Sequence, residues 1–243
     1  MERKRPALNA AITGATSMIG MAIASAIVAG GGALFLVGRD LEKLNCALQE
    51  LAGSENPVLL HAADLASDVA IHDLQQRIVS EFSLLDVLVH CAGAYVRGRM
   101  DEISVQELDA LYRVNVRAPY ALTQALLPLL KSRQGQVVFL NSSQAFQVRA
   151  NTGAYAATRH ALRAIVESLR QEVNACGVRV LSVYAGRTAT PGMKRIFEME
   201  NMPYRPELLL QASDIASTII SALEMPRSAE ITDIHVRPLV KSY

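Results

Sequence analysis

The chain predicts an α/β fold, a doubly wound three-layer sandwich around a seven-stranded parallel sheet. Two observations predict it. Short apolar runs alternate with helix-period segments from one end to the other, the pattern of βαβ units. The 33 residues from Pro6 to Gly38 hold no charge, as expected of two strands and a helix packed inside such a sheet, since parallel strands covered on both faces read as continuous apolar runs. A membrane span or leader after the basic start Arg3, Lys4, Arg5 is the other reading of that stretch. The triple glycine 30–32, the polar Asn9, Thr13, Thr16 and Ser17, and alanine where a span would use leucine favour the core.

The expected strands are Ala7 to Thr13, Ala33 to Val37, Val58 to Ala62, Val87 to Cys91, Val137 to Asn141, Val178 to Tyr184 and Ile231 to Val236. Between them lie helical patterns at Met18 to Ala29, Leu41 to Leu51, Asp68 to Glu81, Val105 to Leu130, Thr152 to Cys176 and Ser213 to Leu223. Right-handed crossovers wind these helices onto both faces of one sheet. No repeat or linker interrupts the order, so residues 1–243 are expected to form one domain. At 243 residues and 51% hydrophobic content the chain can bury a large core. One long connection without periodicity, about 186–211, is expected to act as a substrate loop.

Composition excludes some functions. Twenty-four basic and twenty-three acidic residues leave a net charge of +1, so no basic field invites nucleic acid or an anionic membrane. Cys46, Cys91 and Cys176 are odd in number and far apart, which suits reduced thiols in the cytoplasm. No Cys-x-x-Cys or His-x-x-x-His pair suggests a metal site.

The residues that bear chemistry cluster after the strands. Tyr155 and Arg159 stand four apart on one helical face, so phenol and guanidinium reach the same volume. Ser142 ends the preceding strand. A tyrosine and an arginine at that spacing are commonly a surface pair, and a serine after a strand a turn residue; the agreement of several such features in order is what argues for a site. After the first strand comes Thr13-Gly14-Ala15-Thr16-Ser17-Met18-Ile19-Gly20, opening into a helix whose free amides would favour a pyrophosphate. Gly38-Arg39-Asp40 follows the second strand. There an acidic residue would bond the ribose 2′-hydroxyl of NAD, an arginine would pair with the 2′-phosphate of NADP, and Asp40 also suits a helix N-cap before Leu41.

These stretches together resemble the short-chain dehydrogenases/reductases, over nearly the whole chain. Ser142, Tyr155 and Arg159 match the family's Ser, Tyr-x-x-x-Lys set, with arginine in place of lysine, and Asn115 matches its supporting helix asparagine. The resemblance implies a Rossmann-like domain in which Tyr155 exchanges the proton, Ser142 holds the substrate oxygen, and Arg159 favours the phenolate and meets the nicotinamide ribose. It implies cofactor contacts at Gly14, Ser17, Ile19 and Gly20, with Met18 in the place of the middle glycine; a helical Met18 would still accept its side chain. Arg39 implies NADP(H) ahead of NAD(H). Asp64 and Leu65 fall where the family meets adenine, and Ala92 and Gly93 match its Asn-x-Ala-Gly turn with His90 as the first residue. His90 itself reads as a buried histidine held by one backbone hydrogen bond. Gly186, Thr188 and Thr190 lie in the segment that edges the nicotinamide, with Tyr184 and Ala185 for the usual asparagine and proline.

The expected activity is interconversion of a carbonyl and an alcohol on a small, moderately apolar substrate, provided Met193, Ile196, Phe197, Met199, Met202 and Tyr204 line a lid together with Tyr95, Phe146 and Val148; the six loop residues could instead pack the loop down or form a subunit contact. The family resemblance implies a homodimer or homotetramer. The altered positions Met18, His90, Arg159 and Ala185 admit a second reading, a nicotinamide-binding protein with little catalysis acting as a redox sensor or assembly partner.

Overall fold

The computed structural model describes residues 8–51, 56–82 and 84–240. Ala7 and the basic cluster at residues 3–5 lie outside them. Seven parallel strands form one sheet: β1 Asn9–Thr13, β2 Ala33–Gly38, β3 Val58–Ala62, β4 Val87–His90, β5 Gln136–Ser142, β6 Arg179–Ala185 and β7 Asp233–Val236. Their order is β3-β2-β1-β4-β5-β6-β7. Every strand is the expected one, with ends shifted by a residue or two.

Strand alternation divides the core. Ala10 and Ile12 of β1, Leu34 and Leu36 of β2, and Val87 and Val89 of β4 face helices α1 (Met18–Ala29) and α8 (Ala212–Leu223). Ala11, Phe35, Val37 and Leu88, one residue out of phase, face α3 (Asp68–Glu81), α5 (Ala118–Arg133) and α6 (Gly153–Val173). A period of two sends neighbours to opposite faces, so each strand feeds two cores and reads as uniformly apolar. The charge-free stretch is thus β1, α1 and β2, and among the described residues no helix is long and apolar enough to cross a membrane. Helix α2 (Leu41–Glu50) starts at Asp40, whose carboxylate accepts from the amides of Glu42 and Lys43 at 3.0 and 3.2 Å. The bond from Lys43 leads the effects that hold its pKa down.

Two expectations need correction. The single helix at Val105 to Leu130 is three pieces: α4 (Val105–Tyr112), a π-helical turn over Arg113–Arg117, and α5. Pro119 supplies the reason. It has no N–H to return to the Asn115 carbonyl four residues back, and the Ala118 amide reaches instead to the Arg113 carbonyl, five back. The stretch 186–211 is not structureless. It contains α7 (Pro191–Met199), capped by the Thr190 hydroxyl, which accepts from the Met193 amide at 3.1 Å. A backbone bridge between Thr188 and Leu210 ties the base of this excursion.

His90 is the third correction. Its ring nitrogen Nε2 bonds the Thr123 hydroxyl at 2.7 Å, a side chain of α5 and not a backbone group, and the ring stacks on Phe139 at 4.8 Å. Burial lowers its pKa from 6.5 to about 3. Below pH 6.5 the unfolded chain takes up a proton that folded His90 refuses, so stability is lost as pH falls from 6.5 toward 3, at up to ~1.4 kcal/mol per pH unit. Urea denaturation at pH 7, 6 and 5 should therefore show a shallower acid loss in His90→Gln than in the native chain. Equal slopes for the two proteins would contradict this account.

Candidate active site

The sheet order reverses between β1 and β4, and their carboxyl ends splay the following loops apart into a crevice. On one side the turn after β1 leads into α1. Gly14 holds φ +68°, and a methyl group there would sit 2.6 Å from the Ala92 amide nitrogen, so the two loops meet backbone to backbone only because Gly14 lacks a side chain. Ser17 caps α1: its hydroxyl accepts from the Gly20 amide at 3.0 Å and donates to the Gly14 carbonyl at 2.8 Å. Met18 begins the helix in right-handed geometry with half its surface exposed. Its side chain costs nothing there.

A cleft of about 180 Å³ follows the crevice, walled by Ile19, Cys91, Ala92, Ser142, Tyr155 and Arg159, with Gly186 and Thr190 at its far edge. It gathers eight of the expected residues: Ile19, Ala92, Ser142, Tyr155, Arg159, Gly186, Thr188 and Thr190. Arg39 is exposed at the end of β2. Asp64 is exposed after β3, where its carboxylate accepts from the Ala66 amide at 3.0 Å, and Leu65 is buried in the core. Burial pushes the Cys91 thiol up to about 11, so the cleft holds a neutral sulfur. It bonds Ser17 at 3.6 Å.

The Tyr155–Arg159 pair is built by α6. The guanidinium carbon lies over the tyrosine ring, 4.8 Å from its centroid, a cation held against an aromatic face. Arg159 is 6% exposed. Nη1 donates to the Leu140 carbonyl at 3.5 Å, while Nε is buried without a hydrogen-bond partner among the described residues. Gly93 makes the room: a methyl group on it would lie 2.7 Å from Nη2. Asn141 ties the arrangement to β5, its side-chain amide donating to the Arg159 carbonyl at 3.3 Å. Ser142 accepts from the Gln144 amide through Oγ at 3.2 Å, which leaves its proton for the cleft.

Asn115 stands apart from the phenol. Buried in the π turn, it grips Ala94 from both sides, Oδ1 accepting from the Ala94 amide at 2.8 Å and Nδ2 donating to the Ala94 carbonyl at 3.0 Å. Nδ2 also reaches the Thr158 hydroxyl at 3.1 Å, and that hydroxyl donates to the Tyr155 carbonyl at 2.7 Å. It therefore fixes the Gly93 loop and α6 relative to each other.

Beyond Tyr155 and Ser142 a second cavity of about 120 Å³ opens under α7. Met193, Ile196 and Tyr95 line it as the apolar reading expects, and Tyr95 packs edge-on against Tyr155 at 4.8 Å. Phe197, Met202 and Tyr204 instead pack α7 down onto Ala189 and Leu209. Met199 and Val148 are exposed, and Phe146 lines an adjoining cavity with Tyr184 and His235. Charged residues also line the 120 Å³ cavity: Arg97, Arg149, Arg187 and Glu200. Sequence reasoning missed them because they lie on three separate segments with no shared spacing; the one available signal was Tyr95-x-Arg97 directly after the Ala-Gly turn.

A crevice at the topological switch point of a doubly wound parallel sheet, with a tyrosine, a serine and a cation around it, defines a protein of the Rossmann-like dinucleotide-fold class. Comparison with known proteins narrows the class. The family model for short chain dehydrogenase matches residues 8–201. An uncharacterized oxidoreductase of Staphylococcus epidermidis is 30% identical over 231 residues, covering 95% of this chain and 96% of its own. Among solved structures, an alcohol dehydrogenase from the archaeon Thermococcus sibiricus complexed with 5-hydroxy-NADP has a TM-score of 0.87 at 25% identity, with 98% of this chain and 99% of that one covered. A metagenomic short-chain oxidoreductase in complex with NADP has a TM-score of 0.83 at 27% identity over 96% and 98% of the two chains. The chain belongs to the short-chain dehydrogenase family of oxidoreductases.

Asn115→Ala should strip three hydrogen bonds from buried partners at once. The expected cost is about 2–3 kcal/mol, read by calorimetry as a melting temperature lower by roughly 5 °C or more. A change within about 1 °C would show that the Ala94 clamp adds little to stability.

Proposed function

We propose that the protein is an NADP(H)-dependent oxidoreductase that interconverts a carbonyl and an alcohol on a small, moderately apolar molecule. The observation that carries this reading is the cleft at the switch point lined by Tyr155, Ser142 and Arg159, with the buried Arg159 Nε lacking a hydrogen-bond partner among the described residues. A buried donor left unsatisfied costs about 1–3 kcal/mol, and the hydroxyls of a nicotinamide ribose are acceptors of the right kind. The rest of the crevice fits a dinucleotide as well. The first amides of α1, at Met18 and Ile19, lack intrahelical acceptors and favour a pyrophosphate. The neutral Cys91 thiol adds no charge to oppose it.

Arg39 supports NADP(H) over NAD(H). It is exposed at the end of β2, where a guanidinium can pair with a 2′-phosphate. Asp40, the residue that would serve a 2′-hydroxyl, has its carboxylate engaged in capping α2. In this reading Asp64 and Leu65 border the adenine, and Gly14, Ser17, Gly20, Ala92 and Gly93 border the pyrophosphate and ribose. Gly186 and Thr190 border the nicotinamide. The chain acts as one cytoplasmic domain, assembled as a homodimer or homotetramer.

When bound, the nicotinamide supplies or accepts a hydride. The chain's own residues manage the proton and the oxygen. Tyr155 gives its phenolic proton to the carbonyl oxygen during reduction, and Ser142 donates its free hydroxyl proton to the same oxygen, stabilising the charge that develops there. Arg159 stands over the Tyr155 ring face as a fixed cation, but a guanidinium does not release a proton as an ammonium can. Arg159 is therefore a holding charge and a ribose donor, not a relay. Tyr95, Met193 and Ile196 supply the apolar wall against which the substrate rests.

NADPH oxidation against a panel of aldehydes and ketones tests the reading. Tyr155→Phe should lower the turnover number about 100-fold or more and leave NADPH affinity, followed by nicotinamide fluorescence, within about threefold. NADPH binding with no turnover of any carbonyl or alcohol would contradict it. In the same assay Arg159→Lys should raise turnover, because an ammonium restores the missing proton path; an unchanged or lower rate would remove that argument.

A further inference from the structure

The 120 Å³ cavity contains a charge pattern that an apolar substrate would not use. Glu200, at the end of α7, is one carboxylate between two guanidinium groups: Oε2 meets Arg187 Nη2 at 2.6 Å and Oε1 meets Arg97 Nη1 at 3.2 Å. All three side chains are largely buried, with Arg97 19%, Arg187 12% and Glu200 11% exposed. Arg187 is anchored further by the Phe197 ring, whose centroid is 4.6 Å from its guanidinium carbon. Arg149, a third cation, stands at the cavity wall.

Three arginines and one glutamate line this cavity, so positive charge is in excess there. Such a charge is costly to bury, and an anion entering the cavity offsets it. Arg97 is the group placed to receive that anion. It comes from the loop after β4, two residues beyond Tyr95, whose ring packs on Tyr155. Its planar fork has five N–H donors, of which Glu200 engages Nη1, and a guanidinium fork matches a carboxylate in two-point contact. The cavity is also small. At about 120 Å³ against about 180 Å³ for the neighbouring cleft, it favours a substrate whose anionic group and reacting carbon are close together.

We infer that the substrate is a short oxo acid or the corresponding hydroxy acid, its carboxylate held by Arg97 and its short apolar body against Ile196 and Met193. This rests on the oxidoreductase reading above and replaces its moderately apolar substrate with a small anionic one. The redox step is the same: the carbonyl carbon would gain a hydride, which carries both electrons, from the reduced dinucleotide, the oxygen gains the Tyr155 proton, and the carboxylate is held unchanged.

Two measurements on the full chain test it. Calorimetric titration with butanoate, which has the carboxylate and no reducible carbonyl, reads the anion site alone. Initial rates of NADPH oxidation with 3-oxobutanoate and with its methyl ester read the preference during turnover. Butanoate should bind, and Arg97→Met should weaken it tenfold or more, while Arg97→Lys retains part of the binding and serves as the folded control. The native protein should prefer acid over ester in kcat/KM by tenfold or more, and Arg97→Met should lose that preference through KM. Equal kcat/KM for acid and ester, with butanoate binding indifferent to Arg97, overturns the inference and leaves the oxidoreductase reading standing. Arg97-dependent butanoate binding with no NADPH oxidation on any ketone supports the anion site and overturns the oxidoreductase reading.

Discussion

A guanidinium laid across the face of a tyrosine ring, and sealed from water, is the constraint around which this crevice is organised. Arg159 is larger than a lysine and planar, so the loop opposite must stand back, and Gly93 does so by having no side chain within 2.7 Å of Nη2. That loop in turn needs a fixed position, which Asn115 provides by gripping Ala94 at both its amide and its carbonyl. Asn115 faces inward in the π-helical turn that the missing N–H of Pro119 accompanies. A proline in α5, an asparagine in a widened turn and a bare glycine are thus linked parts of one cation site.

The same pair separates two kinds of surface. On one side lies the crevice at the switch point, walled by backbone and neutral groups, suited to a long anionic cofactor because helix α1 presents amides there. On the other lies the smaller cavity under α7, with apolar walls from Met193 and Ile196 and a buried arginine-glutamate-arginine cluster. Helix α7 belongs to both: Thr190 at its start edges the cleft, and Glu200 at its end anchors the cluster. Both the cleft and the smaller cavity therefore depend on one short helix whose seat is the small core of Ala189, Phe197 and Leu209.

Much of this was legible in the chain. The central strands β1, β2, β4 and β5 could be found because burial removes Asp, Glu, Lys and Arg from them, and the positions of Ser142, Tyr155 and Arg159 followed from strand end and helical period. What escaped was set by partners far away in sequence. The break in the helix after Tyr112 depended on Pro119, whose effect falls four residues earlier, and on the pull of Ala94. His90 found a hydroxyl on α5 in place of a backbone group, since Thr123 comes within reach only when α5 packs on β4. Helix α7 was signalled by Met193, Ile196 and Phe197 at helical spacing and by Thr190-Pro191, a cap followed by a proline suited to the first turn, but at nine residues it was too short to stand out within the long connection. The charged cluster left no local trace, because Arg97 meets Arg187 and Glu200 only when the loop after β4 and the 186–211 excursion fold over one cavity.

The decisive measurement is a crystal structure of the protein grown with NADP⁺. The account predicts a nicotinamide ribose hydroxyl within hydrogen-bond distance of the Arg159 guanidinium, with the Tyr155 hydroxyl and Ser142 Oγ facing an open space beside the nicotinamide. A dinucleotide bound elsewhere, or an Arg159 that leaves the ring and turns to solvent while protein fills that space, would contradict it.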